Sequence, residues 1–287
     1  MQFPASELVL DSEGKVYHLG LHPHQIADTI IVVGDQDRVN QVSLFFDKRT
    51  HQSQHREFVC HTGEYKGKEI TVLSTGIGTD NIDICVNELD ALFNIDLDKR
   101  EEKPQKTPVR IVRIGTCGIL QPEIPVHSYI LSTGAFGLDN IAHFYEIPLT
   151  NEEKIISSEF SQGTGLPETI TPYFIRSSSK LNELLRSDET AEGITVTSSG
   201  FYGPQGRELR LKTKTTDLNE RLTVMRFGQE RIVNFEMESS ALFAMTRALG
   251  HESATICLGV ANRPNMHFSK GCHEEMDGLI RYVLERI

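Results

Sequence analysis

The sequence predicts an α/β fold, because short β-branched runs alternate with longer segments whose apolar residues recur at helical spacing. The runs fall at 29–33, 70–73, 109–113, 129–132, 194–197 and 254–258, and the first reads Thr29-Ile-Ile-Val-Val33. Between the second and third, Ile82, Val86, Leu89 and Phe93 share one face of a helix. After the fifth, Met237, Ala241, Leu242, Met245 and Leu249 form another apolar stripe, closed by Gly250 as its C-cap. A final helix over roughly 274–285 buries Leu279, Ile280 and Val283. Residues 96–108 are densely charged, contain Pro104 and Pro108, and read as a solvated loop.

With 287 residues, the chain suits one large α/β domain or two small ones. Hydrophobic residues at 38% and charged residues at 24% are ordinary for a soluble globular protein. A formal net charge of −11 argues against a general nucleic-acid surface, although local basic pockets fit within it. No apolar run approaches the roughly 18 residues of a membrane span. Residues 1–15 lack the basic-then-apolar layout of a signal peptide. Cys60, Cys85, Cys117, Cys257 and Cys272 are scattered without a CxxC spacing, which predicts reduced packing thiols in a cytoplasm.

Residues 198–207, Ser-Ser-Gly-Phe-Tyr-Gly-Pro-Gln-Gly-Arg, follow a strand and place Gln205 two residues from Arg207. An amide and a guanidinium together suit a flat heterocycle presenting carbonyl, N–H and carbonyl along one edge, as uracil does. Phe201 or Tyr202 supplies an aromatic wall. Three strands read as ending in glycine turns: Val33-Gly-Asp-Gln-Asp-Arg-Val39, Ser74-Thr-Gly-Ile-Gly-Thr-Asp80 and Arg113-Ile-Gly-Thr-Cys-Gly118. Glycine lets backbone N–H groups approach an anion, and Arg38, Arg113 and Thr116 add charged and hydroxyl donors. None of the three is a Walker A loop or a dinucleotide fingerprint, which favours free phosphate or a sugar phosphate over ATP or NAD. Ligands of such folds sit at the carboxyl ends of strands.

Other residues carry weaker signals. His51 and His55, four apart, would share a helix face as metal ligands, but no HExxH accompanies them. His22-Pro-His24 reads as a surface turn. Glu236 and Glu238, read as helical, would not share a face, leaving a single working carboxylate. Cys117, beside the third turn, could pass for a nucleophile, but no histidine is placed to activate it.

Taken in order, Tyr17-His-Leu-Gly-Leu21, Gly34-Asp-Gln-Asp-Arg-Val39, Ser53-Gln-His-Arg-Glu-Phe58, Ser74-Thr-Gly-Ile-Gly78, Arg113-Ile-Gly-Thr-Cys-Gly118, Phe201-Tyr-Gly-Pro-Gln-Gly-Arg207 and Asn234-Phe-Glu-Met-Glu-Ser239 resemble the nucleoside phosphorylases of the uridine and hexameric purine type. The resemblance implies a single α/β domain over 16–287 around a twisted mixed central sheet, after an N-terminal extension at 1–15, with 96–108 as a charged insertion. It also implies dimers, often built into a hexamer, with active sites shared between subunits. Gly34, Arg38, Arg113, Gly115 and Thr116 would cradle phosphate, with Arg56 reaching it from the neighbouring subunit. Glu236, Met237 and Glu238 would hold the ribose, and His18 of the partner its 5′-hydroxyl. Gln205 and Arg207 would take the uracil edge, with Phe201 on the ring and Arg263 nearby. Arg113, Gln205 and Arg207 would carry the chemistry. Inorganic phosphate is then the co-substrate and no cofactor is required.

The expected reaction is phosphate-dependent cleavage of uridine to uracil and ribose 1-phosphate. Purine members place an Asp at the turn that here reads Gly259-Val-Ala-Asn-Arg-Pro264, and Asn262 cannot act as that acid. Deoxyuridine or thymidine, a purine nucleoside, a hydrolase using water, and a non-catalytic nucleoside sensor are the alternatives. The intact arginines argue against the last two. Some residues depart from the pattern. Gln36 stands where proline is usual, Thr79-Asp-Asn81 where Gly-Pro-Ser is, and Val126-His-Ser128 where Val-Gly-Asp is. Glu57, Ile77 and Asn81 resemble a potassium site between subunits, with Asn81 in place of serine.

Overall fold

The computed structural model describes residues 2–287. Strand β1 (Thr29–Val33) leads into helix α1 (Gln36–Ser43), and strands β2 (Lys48–His55), β3 (Phe58–Tyr65) and β4 (Lys68–Ser74) follow before helix α2 (Thr79–Asn94). A small ladder of β5 (Ile95–Asp96) and β6 (Glu101–Glu102) precedes the long strands β7 (Arg110–Ile119) and β8 (Tyr129–Gly137). Then come α3 (Asn151–Thr164), β9 (Tyr173–Arg176), α4 (Ser179–Leu185), β10 (Thr190–Thr197), α5 (Leu218–Val224), β11 (Arg226–Phe227) and β12 (Glu230–Glu236). The chain ends with α6 (Ser239–Ala248), β13 (Glu252–Asn262), β14 (His267–Phe268) and α7 (His273–Leu284).

One mixed sheet runs in the order β11-β12-β10-β8-β13-β7-β1-β4-β3-β2, with β9 on β8 and β14 on β13. The period-2 alternation of a strand explains why β1 is apolar throughout. Ile30 and Val32 join a core with α2 and α6, while Ile31 and Val33 face α1 and α7 on the opposite side. β12 pairs with β10 and also, antiparallel, with β7 through Asn234–Ile119 and Phe235–Gly118. The sheet therefore closes locally into a ring of β7, β12, β10, β8 and β13, filled by Cys117, Ile119, Ile130, Val233 and Cys257.

Several expectations need correction. Residues 113–118 are strand interior, not a turn. Residues 96–108 are largely exposed but include the end of β5 and all of β6, and Arg100 binds back to the N-terminal segment, its Nε 3.0 Å from the Phe3 carbonyl. His51 and His55 lie on β2, not on a helix; their rings contact Ser53 Oγ at 3.0 Å and the His18 carbonyl at 2.9 Å. Glu236 ends β12, while Glu238 is the N-cap of α6, so the premise that separated them on a helix fails. Met237 sits between these elements, ahead of the helical stripe. Gly250, at φ 80°, does follow the end of α6, one residue past its cap.

Candidate functional site

A cavity of about 770 Å³ opens where β1, β4, β7, β12 and β13 end, the position that parallel α/β topology favours. Gly34 leaves β1 and Asp35 caps α1, its carboxylate accepting the Asp37 N–H at 3.0 Å. Arg38 follows within the first turn and lines the cavity. Its side chain has no hydrogen bond or ion pair among the described residues. Burial lowers its pKa, with Asp35 opposing and the charge of Arg113 adding to the drop.

Arg113 projects from β7 and folds back over Gly115. A Cβ at position 115 would collide with the Arg113 guanidinium, which is why glycine stands there. Arg113 Nη2 bonds to the Glu238 carboxylate, and Nη1 lies 3.3 Å from Glu236 Oε2 and 3.3 Å from Cys257 Sγ. Burial alone would lower its pKa, but Glu238 and Glu236 carry it upward. Glu236 also accepts Thr197 Oγ1 at 2.5 Å and the N–H groups of Glu238 and Ser239, both at 2.9 Å. Glu238 Oε1 accepts the Gly78 N–H at 2.8 Å; burial raises its pKa, Arg113 opposes, and Glu236 adds to the rise. Both carboxylates therefore grip one guanidinium, Glu236 from the end of β12 and Glu238 from the N-cap of α6.

At the other end, a 3-10 turn holds Gln205, which is buried. Arg207 Nη1 donates to Gln205 Oε1 at 2.5 Å and to the Phe201 carbonyl at 2.6 Å, and its Cζ sits 3.8 Å from the Phe201 ring centroid. Burial, and then Arg263, lower the Arg207 pKa to about 10. Arg263 packs beside it near Gly118, and its buried Nη1 has no partner among the described residues.

Thr116, Met237, Glu57, Ile77 and Asn81 also line the cavity. Gly115, Arg263, His18 and Arg56 do not. His18 Nδ1 lies 2.6 Å from Glu88 Oε1, and Arg56 rests over the Tyr17 ring at 5.4 Å. Asn262 is committed to the backbone: Nδ2 donates to the Gln121 and Ile124 carbonyls at 3.0 and 2.8 Å, and Oδ1 accepts the Asn265 N–H at 3.0 Å. Cys117 lines the cavity, and burial pushes its thiol pKa well up. All five cysteines are free thiols. Sequence reasoning missed Thr197, Cys257, Val260 and Phe268. Thr197 at a strand end offered a signal; Phe268, an aromatic in a polar loop, offered a weaker one.

Fold and cavity together define a protein that handles a small phosphate-bearing or heterocyclic ligand at the switch of a mixed sheet. The chain belongs to the phosphorylase superfamily, whose family model matches residues 28–277. It is similar to a uridine phosphorylase of Thermococcus kodakarensis, 28% identical over 96% of this chain and 87% of the relative. A uridine phosphorylase of Haemophilus influenzae is 31% identical over 86% of each chain. A Trypanosoma brucei nucleoside phosphorylase described as showing uridine phosphorylase activity superposes with a TM-score of 0.90 at 28% identity, covering 98% of this chain and 99% of that one. No helix among the described residues is long and apolar enough to cross a membrane.

Proposed function

We propose that this protein is a uridine phosphorylase, transferring the ribosyl group of uridine to inorganic phosphate. The observation that carries this is one cavity with an amide–guanidinium pair at one end, Gln205 and Arg207, and free Arg38 with ion-paired Arg113 at the other. Phosphate oxygen attacks C1′ as the C1′–N1 bond breaks, and the bonding pair leaves on uracil, which takes a proton from water. Arg38, Gly34 and Thr116 hold the phosphate dianion beneath a ribose that develops oxocarbenium character. Glu238, with Arg113 bound to it, accepts hydrogen bonds from the ribose hydroxyls, and Met237 packs on the sugar. Charge that collects on the uracil oxygens is met by Arg207 and the Gln205 amide, with the Phe201 ring alongside. No leaving-group acid is needed, which agrees with Asn262 being spent on backbone carbonyls.

His18 and Arg56 lie outside the chain's own cavity, which supports a site completed by the partner subunit's His18 and the partner subunit's Arg56 in a homo-oligomer. Phosphate is the co-substrate. Glu57, the Ile77 carbonyl and the Asn81 side chain offer the oxygen donors a potassium ion takes, and potassium dependence of the rate tests that site. Free thiols fit a reducing compartment such as the cytoplasm. The primary test is uracil release from uridine with and without phosphate, alongside inosine. Phosphate-dependent release from uridine alone is expected. Release without phosphate would make the protein a hydrolase, and inosine cleavage would overturn the base assignment.

A further inference from the structure

His127 stands in the loop after Pro125 with φ of 70°, a left-handed conformation that residues other than glycine seldom take. Its imidazole joins two separate segments. Nε2 lies 2.7 Å from Ser269 Oγ, and Nδ1 lies 3.0 Å from Glu275 Oε1 in α7. The His127 backbone N–H donates to the Gly259 carbonyl at 2.7 Å, fixing the loop to β13. Ser269 immediately follows β14; its N–H donates to the Val260 carbonyl at 2.9 Å and its hydroxyl to the Gly271 carbonyl at 2.7 Å. With its proton directed there, Ser269 acts as a link and not as a nucleophile.

The segment so tied is the hairpin that stands over the cavity. β14 is two residues long and pairs with β13 only through Phe268–Ala261 and His267–Asn262. Phe268 lines the cavity although it is 68% exposed, and Met266 at the hairpin tip is 94% exposed. Such a hairpin has little apolar burial to hold it, so its position depends on the hydrogen bonds at its base. The Ser269–His127–Glu275 series supplies them from outside the hairpin.

We propose that His127 is a positioning residue for nucleoside binding: by tying the β14 hairpin to α7, it sets where Phe268 stands at the cavity mouth. This rests on the nucleoside reading above. Glycine holds φ 70° without strain, so His127→Gly keeps the loop conformation while deleting both links. Ser269→Ala deletes the hairpin link and keeps the one to Glu275, at the cost of the Ser269 hydroxyl's own bond to the Gly271 carbonyl. Both variants are expected to raise KM for uridine roughly three- to tenfold, the worth of one or two hydrogen bonds, with kcat changed less than about twofold. KM for phosphate stays put, amide exchange across 263–271 quickens, and the double variant is no worse than the more severe single one. A purely structural role would lower Tm and leave the uridine KM unmoved. Unchanged uridine KM and unchanged exchange in both variants overturn the inference. Wild-type protein that cleaves no uridine overturns the function reading instead, and the exchange measurement still decides whether His127 holds the hairpin.

Discussion

Arg113 and Glu238 form an ion pair with side chains only 6% and 4% exposed, and Glu236 lies 3.3 Å from the same guanidinium. One cation thus answers two buried carboxylates. Removing one member of a buried pair usually costs about 3–5 kcal/mol because a charge is left uncompensated. Arg113→Ala should reach that range, since both glutamates lose their cation. Glu238→Ala should cost less, because Glu236 remains. Urea denaturation of both variants decides it, and an equal or smaller loss for Arg113→Ala would contradict the shared-cation arrangement.

Arg38 is half-buried and unpaired among the described residues, so its charge adds little to the fold and is available to the proposed phosphate. Arg38→Ala should leave ligand-free stability within about 0.5 kcal/mol of wild type. Phosphate at roughly 100 times its Kd should stabilise wild type by about 2.7 kcal/mol, and the variant should lose most of that gain. Thermal melts with and without phosphate measure both. An undiminished phosphate shift would remove Arg38 from the anion site.

In the proposed reaction, Arg207 meets the charge that gathers on the departing base. Arg207→Ala should lower kcat roughly 10²–10³-fold, as loss of one preorganised donor does, while the protein stays folded. A wild-type rate in that variant places base stabilisation elsewhere.

Glu153 offers a pH test away from the cavity. Burial opposes its ionisation, but N–H bonds from Thr150 and Arg176, both at 2.8 Å, and Arg247 at 2.8 Å hold its pKa below the ordinary 4.5. A carboxylate with a lowered folded-state pKa adds stability that is fully present above the unfolded pKa and lost as pH falls through the folded one. Glu153→Gln should therefore destabilise the protein by about 1–3 kcal/mol at pH 7, with the gap closing below pH 4.5. A gap independent of pH would show that packing, not charge, is what the glutamate supplies.

The strands were legible wherever β-branched runs are buried on both faces, as Thr29–Val33 is. β7 was cut short because Gly115 and Gly118 look like a turn, whereas Gly115 is small to make room for the Arg113 side chain two residues earlier. The closure of β12 onto β7 joins residues more than a hundred positions apart, such as Asn234 and Ile119, and no local pattern encodes it. Most cavity-lining residues carried visible chemistry: arginine, amide and carboxylate beside glycine. His18 and Arg56 were singled out by resemblance alone, and one chain's geometry does not bring them to the cavity.

That closure has a mechanical consequence. Arg113 and Glu236 belong to strands of the ring, and the turn bearing Gln205 and Arg207 begins one residue beyond β10, another of its members. Where Arg113 and Glu236 stand relative to the start of that turn is thus set by interstrand hydrogen bonds. In the proposed reaction, exchanging residues on the 198–207 turn would retune which base is accepted without moving Arg113 or Glu236.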